Sequence, residues 1–167
     1  PCQIIIKGCG MQETAGEDAV QIDFTDLQKT GSFCIEAADG TRSPVFKIEE
    51  HVYKTMKNAL LKAFYFQRCG MELEQEYASV YVHPACHLQE AHLYENPSVK
   101  LQITGGWHDA GDYGRYTTAA AVAVAHLLYA FERFPESFSE SVNLPQSGND
   151  MPDVLNECLC ELEFLMQ

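Results

Sequence analysis

The chain has 167 residues, 46% of them apolar and 21% charged, with a formal net charge of −13. That size suits one ordinary domain, or a small domain plus part of another. The negative balance argues against nucleic acid or an anionic membrane surface as a partner, since both need a cationic face. No run of about 18 apolar residues occurs, so nothing in the sequence is read as a membrane span.

Residues 1–48 read as β structure. CQIIIKG is a short apolar run, and AVQIDF alternates with Val20, Ile22 and Phe24 on one face. SFCIEA alternates through Phe33 and Ile35, ADGTRS supplies a turn, and PVFKI a last strand. These strands are too few to close a full sandwich of about seven. The start at Pro1, without Met or signal peptide, predicts a cut or incomplete N-terminus.

The period changes near Ile48. Residues 50–68 place Val52, Met56, Leu60, Ala63 and Phe64 at helical spacing, and Gly70 is a stop signal. Residues 71–106 are irregular, and a loop of that length is usually functional or held by something. Residues 113–134 form a second helical run, apolar nearly all round, which predicts a helix buried on most sides. Pro135 ends it. A third helix starts with Pro152 in its first turn. Its predicted apolar face holds Val154, Leu155, Cys158, Leu159, Leu162 and Leu165.

Seven cysteines cannot all pair within one chain. Cys2, Cys9 and Cys34 fall in the N-terminal segment, while Cys158 and Cys160 point to different faces of a helix and cannot bridge each other. Cys69, Cys86, His87 and His108 form the notable set. Two thiolates and two imidazoles suit tetrahedral zinc. The spacing is not that of a zinc finger, and two plainer readings stand beside it. One is a pair of buried free cysteines with two surface histidines. The other is a Cys69–Cys86 disulfide. His83, His92 and His126 are competing ligands by spacing, and His126, mid-helix, is expected to be a core histidine. A closed site at the base of the 69–108 loop would order and stabilise it.

The stretch GGWHDAGDYGRY, residues 105–116, carries Asp109 and Asp112 three residues apart, just before the second helix. This spacing can set both carboxylates on one side of a turn, and a helix N-terminus favours their ionised form. One can then abstract a proton from water while the other orients it. Glycines let a ligand approach the backbone, and Trp107, Tyr113 and Tyr116 offer surfaces for sugar rings. The plainer reading is a helix cap beside core aromatics.

GGWHDAGDYGRY closely resembles the catalytic-base motif of glycoside hydrolase family nine, the inverting cellulases. ALLKAFYFQRCG, HPACH and LPQSGNDMPDVLNECLCELEFLMQ resemble further segments of that family, in the same order along the chain. The resemblance covers about residues 50–167. Residues 1–48 resemble the end of the immunoglobulin-like domain that precedes the barrel in one branch.

The resemblance implies a mainly α fold, the N-terminal part of an (α/α)6 barrel over residues 49–167, and a cleft for β-1,4-glucan. It implies Asp112 as catalytic base and Asp109 as its partner on the water. It also implies Cys69, Cys86, His87 and His108 as ligands of a structural zinc, and a secreted enzyme. Calcium belongs at most to the full-length enzyme and has no support in this sequence. Asn156 departs from the Asp usual in the family's Asp-Glu pair. The family's proton donor, a Glu close to the end of the barrel, is expected to lie outside this chain. Expressed alone, the chain is therefore expected to be inactive and poorly soluble. Two rival classes remain: a non-catalytic carbohydrate-binding or remnant module, and a catalytic zinc hydrolase, which would need an open coordination position.

Overall fold

The computed structural model describes residues 5–167, so Cys2 and the start of the first apolar run lie outside the described residues. The chain divides into two compact units, one ending at Val52 and the other running Tyr53–Gln167.

In the first unit β1 (Ile5–Gln12) pairs antiparallel with β2 (Glu17–Asp23), the register slipping between Gly8 and Gly10. A second two-stranded sheet joins β3 (Gly31–Phe33) to β4 (Phe46–Ile48). The expected alternation holds in part: Ile22, Phe24, Phe33 and Ile35 are half-buried, but Val20 is exposed. Phe24 and Phe33 pack against Phe46 with ring centroids 5.3 and 6.3 Å away. ADGTRS turns as read, with Gly40 N–H donating to the Ala37 carbonyl.

The second unit is helical with two minor strands. α1 (Lys54–Phe66), the single turn α2 (Gln75–Ala78), α3 (Thr117–Arg133) and α4 (Asp153–Leu165) carry it. The strands β5 (Ala91–His92) and β6 (Lys100–Leu101) pin the long irregular segment. α3 lies along α4, and α1 meets α4 more lightly. Among the described residues, no helix is long and apolar enough to cross a membrane.

Two small cores hold the unit. Tyr65, Leu73, Ala78 and Leu144 form one, and Trp107, Val124 and Cys158 the other, with Phe64, Ala123, Leu127 and Leu162 around it. The buried stripe of α1 differs from the sequence expectation. Met56 and Leu60 are exposed, while Leu61 and Tyr65 face inward, and Arg68 and Cys69, just past the helix end, are buried with them. α3 is corrected too. Among its residues only Val124 is buried, and His126 is exposed rather than a core histidine. In α4 the inward face is Val154, Glu157, Cys158 and Glu161, whereas Leu159 stands exposed.

The centre of the unit is charged. Arg68 and Glu157, both essentially inaccessible to solvent, form an ion pair with Nη2 and Oε1 3.1 Å apart. Arg68 Nε donates to Glu157 Oε2 at 3.2 Å, and Nη1 donates to Gln146 Oε1 at 3.0 Å. The Nη2–Oε1 approach is a close charge contact without hydrogen-bond alignment, since neither atom completes a hydrogen bond. Two buried ions cost several kcal/mol each to desolvate, which only good pairing offsets. Asn156 is also explained by its contacts. Its amide pairs with that of Asn149 in both directions, at 2.9 and 3.2 Å, and donates to the Met151 carbonyl. A carboxylate there could accept but not donate.

Candidate functional site

The end of α1 and the segment 105–108 meet as a short antiparallel bridge between Arg68 and Trp107. Cys69 N–H donates to the Gly106 carbonyl at 2.8 Å, and His108 N–H to the Gln67 carbonyl at 2.7 Å. This register faces Cys69 with Gly106 and Gln67 with His108, so Cys69 and His108 stand diagonally across the bridge. The intervening loop returns to bring Cys86 and His87 to the same place.

All four prospective ligand atoms of Cys69, Cys86, His87 and His108 lie within 4.8 Å of one another. The two Sγ atoms are 3.9 Å apart, far beyond the roughly 2.05 Å of a disulfide. Cys86 Sγ lies 3.7 Å from His108 Nε2. Bond lengths of about 2.3 Å to sulfur and 2.0–2.1 Å to nitrogen give tetrahedral edges of about 3.75 and 3.6 Å. The donor set and its separations therefore fit a four-coordinate zinc. Burial lowers the His108 pKa, helped by His87, His83 and Arg115, which favours the neutral form of the ring. Burial pushes the Cys69 thiol up to about 11, opposed by Arg115, so a metal would have to displace its proton.

None of the three competing histidines joins the four-ligand group, although His83 lies near enough to His108 to lower its pKa. His83 is tied into a bridge with Leu73, His92 Nδ1 sits 2.7 Å from the Pro97 carbonyl, and His126 faces outward on α3.

Immediately after His108 the chain makes a turn, Tyr113 N–H donating to the Ala110 carbonyl at 3.0 Å. Asp109 N–H closes it by donating to the Gly114 carbonyl at 2.8 Å. Asp112 Oδ1 accepts the Gly114 N–H at 2.9 Å, and Oδ2 accepts the Tyr116 hydroxyl at 2.8 Å. These two bonds, the Gly114 N–H foremost, hold the carboxyl below its ordinary value. α3 begins only at Thr117. The expectation that a helix N-terminus ionises the carboxylates is therefore replaced by a local turn and a tyrosine. Removing that hydroxyl with Tyr116→Phe is expected to raise the Asp112 pKa. A carbon-13 NMR titration of the Asp112 carboxyl will show the shift.

Trp107 is corrected as a sugar platform. It is 6% exposed, packed on Phe64 at 4.8 Å between centroids, and its indole N–H donates to Glu157 Oε2 at 3.3 Å. Tyr113 and Tyr116 are each about half exposed, and Tyr113 sets its ring edge-on to His108 at 5.0 Å. A hollow of about 170 Å³ opens beside Tyr116, lined by Phe64, Gln67, Trp107, His108, Asp109 and Tyr116 among others. The buried partners Arg68, Glu157 and Glu161 escaped sequence reasoning. Their only signal was two acids at helical spacing from Val154.

The chain belongs to glycosyl hydrolase family 9, whose family model matches residues 53–167. It is 42% identical over 165 residues to a cellodextrinase of Butyrivibrio fibrisolvens, covering 97% of this chain and 30% of that protein. Against endoglucanase C of Cellulomonas fimi the identity is 29%, covering 94% of this chain and 16% of that protein. The chain thus spans less than a third of these curated relatives. Among solved structures, a metagenome-derived family 9 endoglucanase superposes with a TM-score of 0.80 at 36% identity. That match covers 95% of this chain and 30% of the other. The zinc-binding triple mutant of the family 9 endoglucanase J30 gives a TM-score of 0.76 at 27% identity, covering 99% and 38%.

Proposed function

We propose that this chain forms the base side of an inverting hydrolase of β-1,4-glucosidic bonds in cellulose or related β-glucans. The observation that carries the reading is the Asp112 carboxylate, exposed, held by two hydrogen bonds and kept below its ordinary pKa. A general base must be ionised at working pH and must reach a water. Asp112 meets both needs, and Asp109, at the other end of the same turn, shares the water. Tyr113 and Tyr116 border the approach to the pair as sugar contacts.

Inversion requires an acid roughly 6.5–9.5 Å from the base, across the scissile bond. By the family resemblance, that acid lies in a part of the relatives that this chain does not span. The same resemblance reads Tyr53–Gln167 as helices of an (α/α)6 barrel and the first unit as the last strands of an immunoglobulin-like sandwich. It also makes the protein a secreted one.

Cys69, Cys86, His87 and His108 would hold a structural zinc, which when bound cross-links the loop to the end of α1. Four protein ligands leave no open position, so the site favours structure over metal-borne hydrolysis. Elemental analysis should find one zinc per chain. Cys69→Ser should lose it and lower the melting temperature. Full zinc retention in that variant would remove this ligand set. For the reaction, proton NMR of cello-oligosaccharide cleavage by the protein expressed from its whole reading frame should show the α-anomer forming first. The β-anomer forming first would overturn inversion.

A further inference from the structure

α4 does more than pack. Glu157 and Glu161 lie one turn apart on its inward face, both fully buried. Glu161 Oε2 accepts the backbone N–H of Trp107 at 2.5 Å, and Glu157 Oε2 accepts its indole N–H at 3.3 Å. Arg68, on the facing strand of the bridge, holds Glu157 from the other side. Further along the same helix the grip continues. The Phe164 ring lies 4.8 Å under the Arg115 guanidinium, and Arg115 Nη1 donates to the Gly105 carbonyl at 2.9 Å. Past the helix end, Gln167 exchanges two hydrogen bonds with the backbone of Thr104, at 2.9 and 2.8 Å.

We propose that Glu157 and Glu161 are positioning residues that grip Trp107 by its ring and its backbone, and thereby set the place of the loop carrying His108, Asp109 and Asp112. The inference rests on the reading of that loop as carrying the base and a metal ligand.

The choice of residue type supports it. One backbone N–H and one indole N–H could be satisfied by neutral acceptors. A buried carboxylate is the costlier solution, and Glu161 keeps one oxygen without any partner. Its advantage is a charge-assisted bond, shorter and stronger than a neutral one. Such a bond fixes Trp107 N tightly, one residue before the His108 ligand and two before Asp109. Residues that orient ligands from behind commonly change affinity or activity about 10–100-fold when replaced. Gly106, just before the gripped residue, completes the close fit. Its φ is +74°, and a Cβ there would lie 2.5 Å from the Phe164 ring.

The test uses the protein expressed from its whole reading frame, labelled with 5-fluorotryptophan, the Trp107 resonance being assigned by its loss in W107F. Glu161→Met keeps length and apolar burial but removes the acceptor. It is expected to shift the Trp107 fluorine resonance and to lower kcat about 10–100-fold, with KM little changed. Glu161→Gln restores a neutral carbonyl acceptor and should recover part of both, the remainder being what the charge adds. A folded Glu161→Met protein with unaltered resonance and kcat overturns the proposal. If that variant does not fold, amide exchange in the unaltered protein decides. A strongly protected Trp107 amide upholds the grip, and one exchanging as fast as the amide of exposed Tyr94 overturns it. Should Asp112→Asn leave kcat unchanged, the base assignment fails, yet the resonance and the exchange rate still answer for the grip.

Discussion

Asp112→Asn is expected to reduce turnover of cello-oligosaccharides by about 10²–10⁴-fold, the usual contribution of a positioned general base. Asparagine keeps the shape of the side chain. Its oxygen can still accept the Gly114 N–H that Asp112 Oδ1 accepts, and its amide can still meet the Tyr116 oxygen. The turn should therefore survive, and KM should change little, because only the proton acceptor is lost. Reducing-end assays on the protein from its whole reading frame read the effect. A variant with more than a tenth of the original kcat would show that another group takes the proton. Asp109→Asn should cost less, since it removes the orienting partner but leaves the base.

The second large effect concerns stability. Arg68→Met should destabilise the fold by about 3–5 kcal/mol, the cost of leaving one member of a buried ion pair alone. Glu157 would keep only the indole N–H of Trp107 as a partner. Burial already pushes the Glu157 carboxyl above its ordinary value, and Arg68 opposes that rise. Without Arg68 the folded-state pKa climbs further, while the unfolded chain titrates normally. The folded form then binds more protons in the interval between the two values, so stability falls as pH rises through it and returns on acidification. Urea unfolding followed by far-ultraviolet circular dichroism, in mildly acidic and in neutral buffer, measures both size and sign. Equal losses at the two pH values would contradict a buried carboxylate as the cause. Replacing both partners, as Arg68→Met with Glu157→Leu, should recover part of the loss.

Much of the site was legible because it is local. GGWHDAGDYGRY holds both carboxylates, His108 and Tyr116 within twelve residues, and chemistry at such short range survives without knowledge of the fold. The ligand set was legible only as residue types, since nothing in the spacing of Cys69 and Cys86 brings their sulfurs together. The burial faces were less legible. Periodicity counts apolar residues, whereas the inward face of α4 includes Glu157 and Glu161, and Arg68 is buried just past the end of α1. Apolar residues alone draw the stripes through Leu60 and Leu159, which are exposed. Trp107 failed as a stacking surface for the same reason. Its ring looked available until a buried acid and Phe64 were found on it.

The separation of these contacts along the chain bears on the order in which the site can assemble. Cys86 meets Cys69 and His108 across 17 and 22 residues, whereas Arg68 reaches Glu157 across 89. Closing the longer loop costs roughly 1 kcal/mol more in chain entropy. Contacts of such range also tend to slow folding. The cysteine–histidine cluster can therefore gather while α4 is still unfolded, as a local nucleus onto which α4 docks. During synthesis every ligand emerges before Glu157 does. On the zinc reading proposed above, metal capture and the docking of α4 would be two separable events, the second completing a loop that the first has already drawn together.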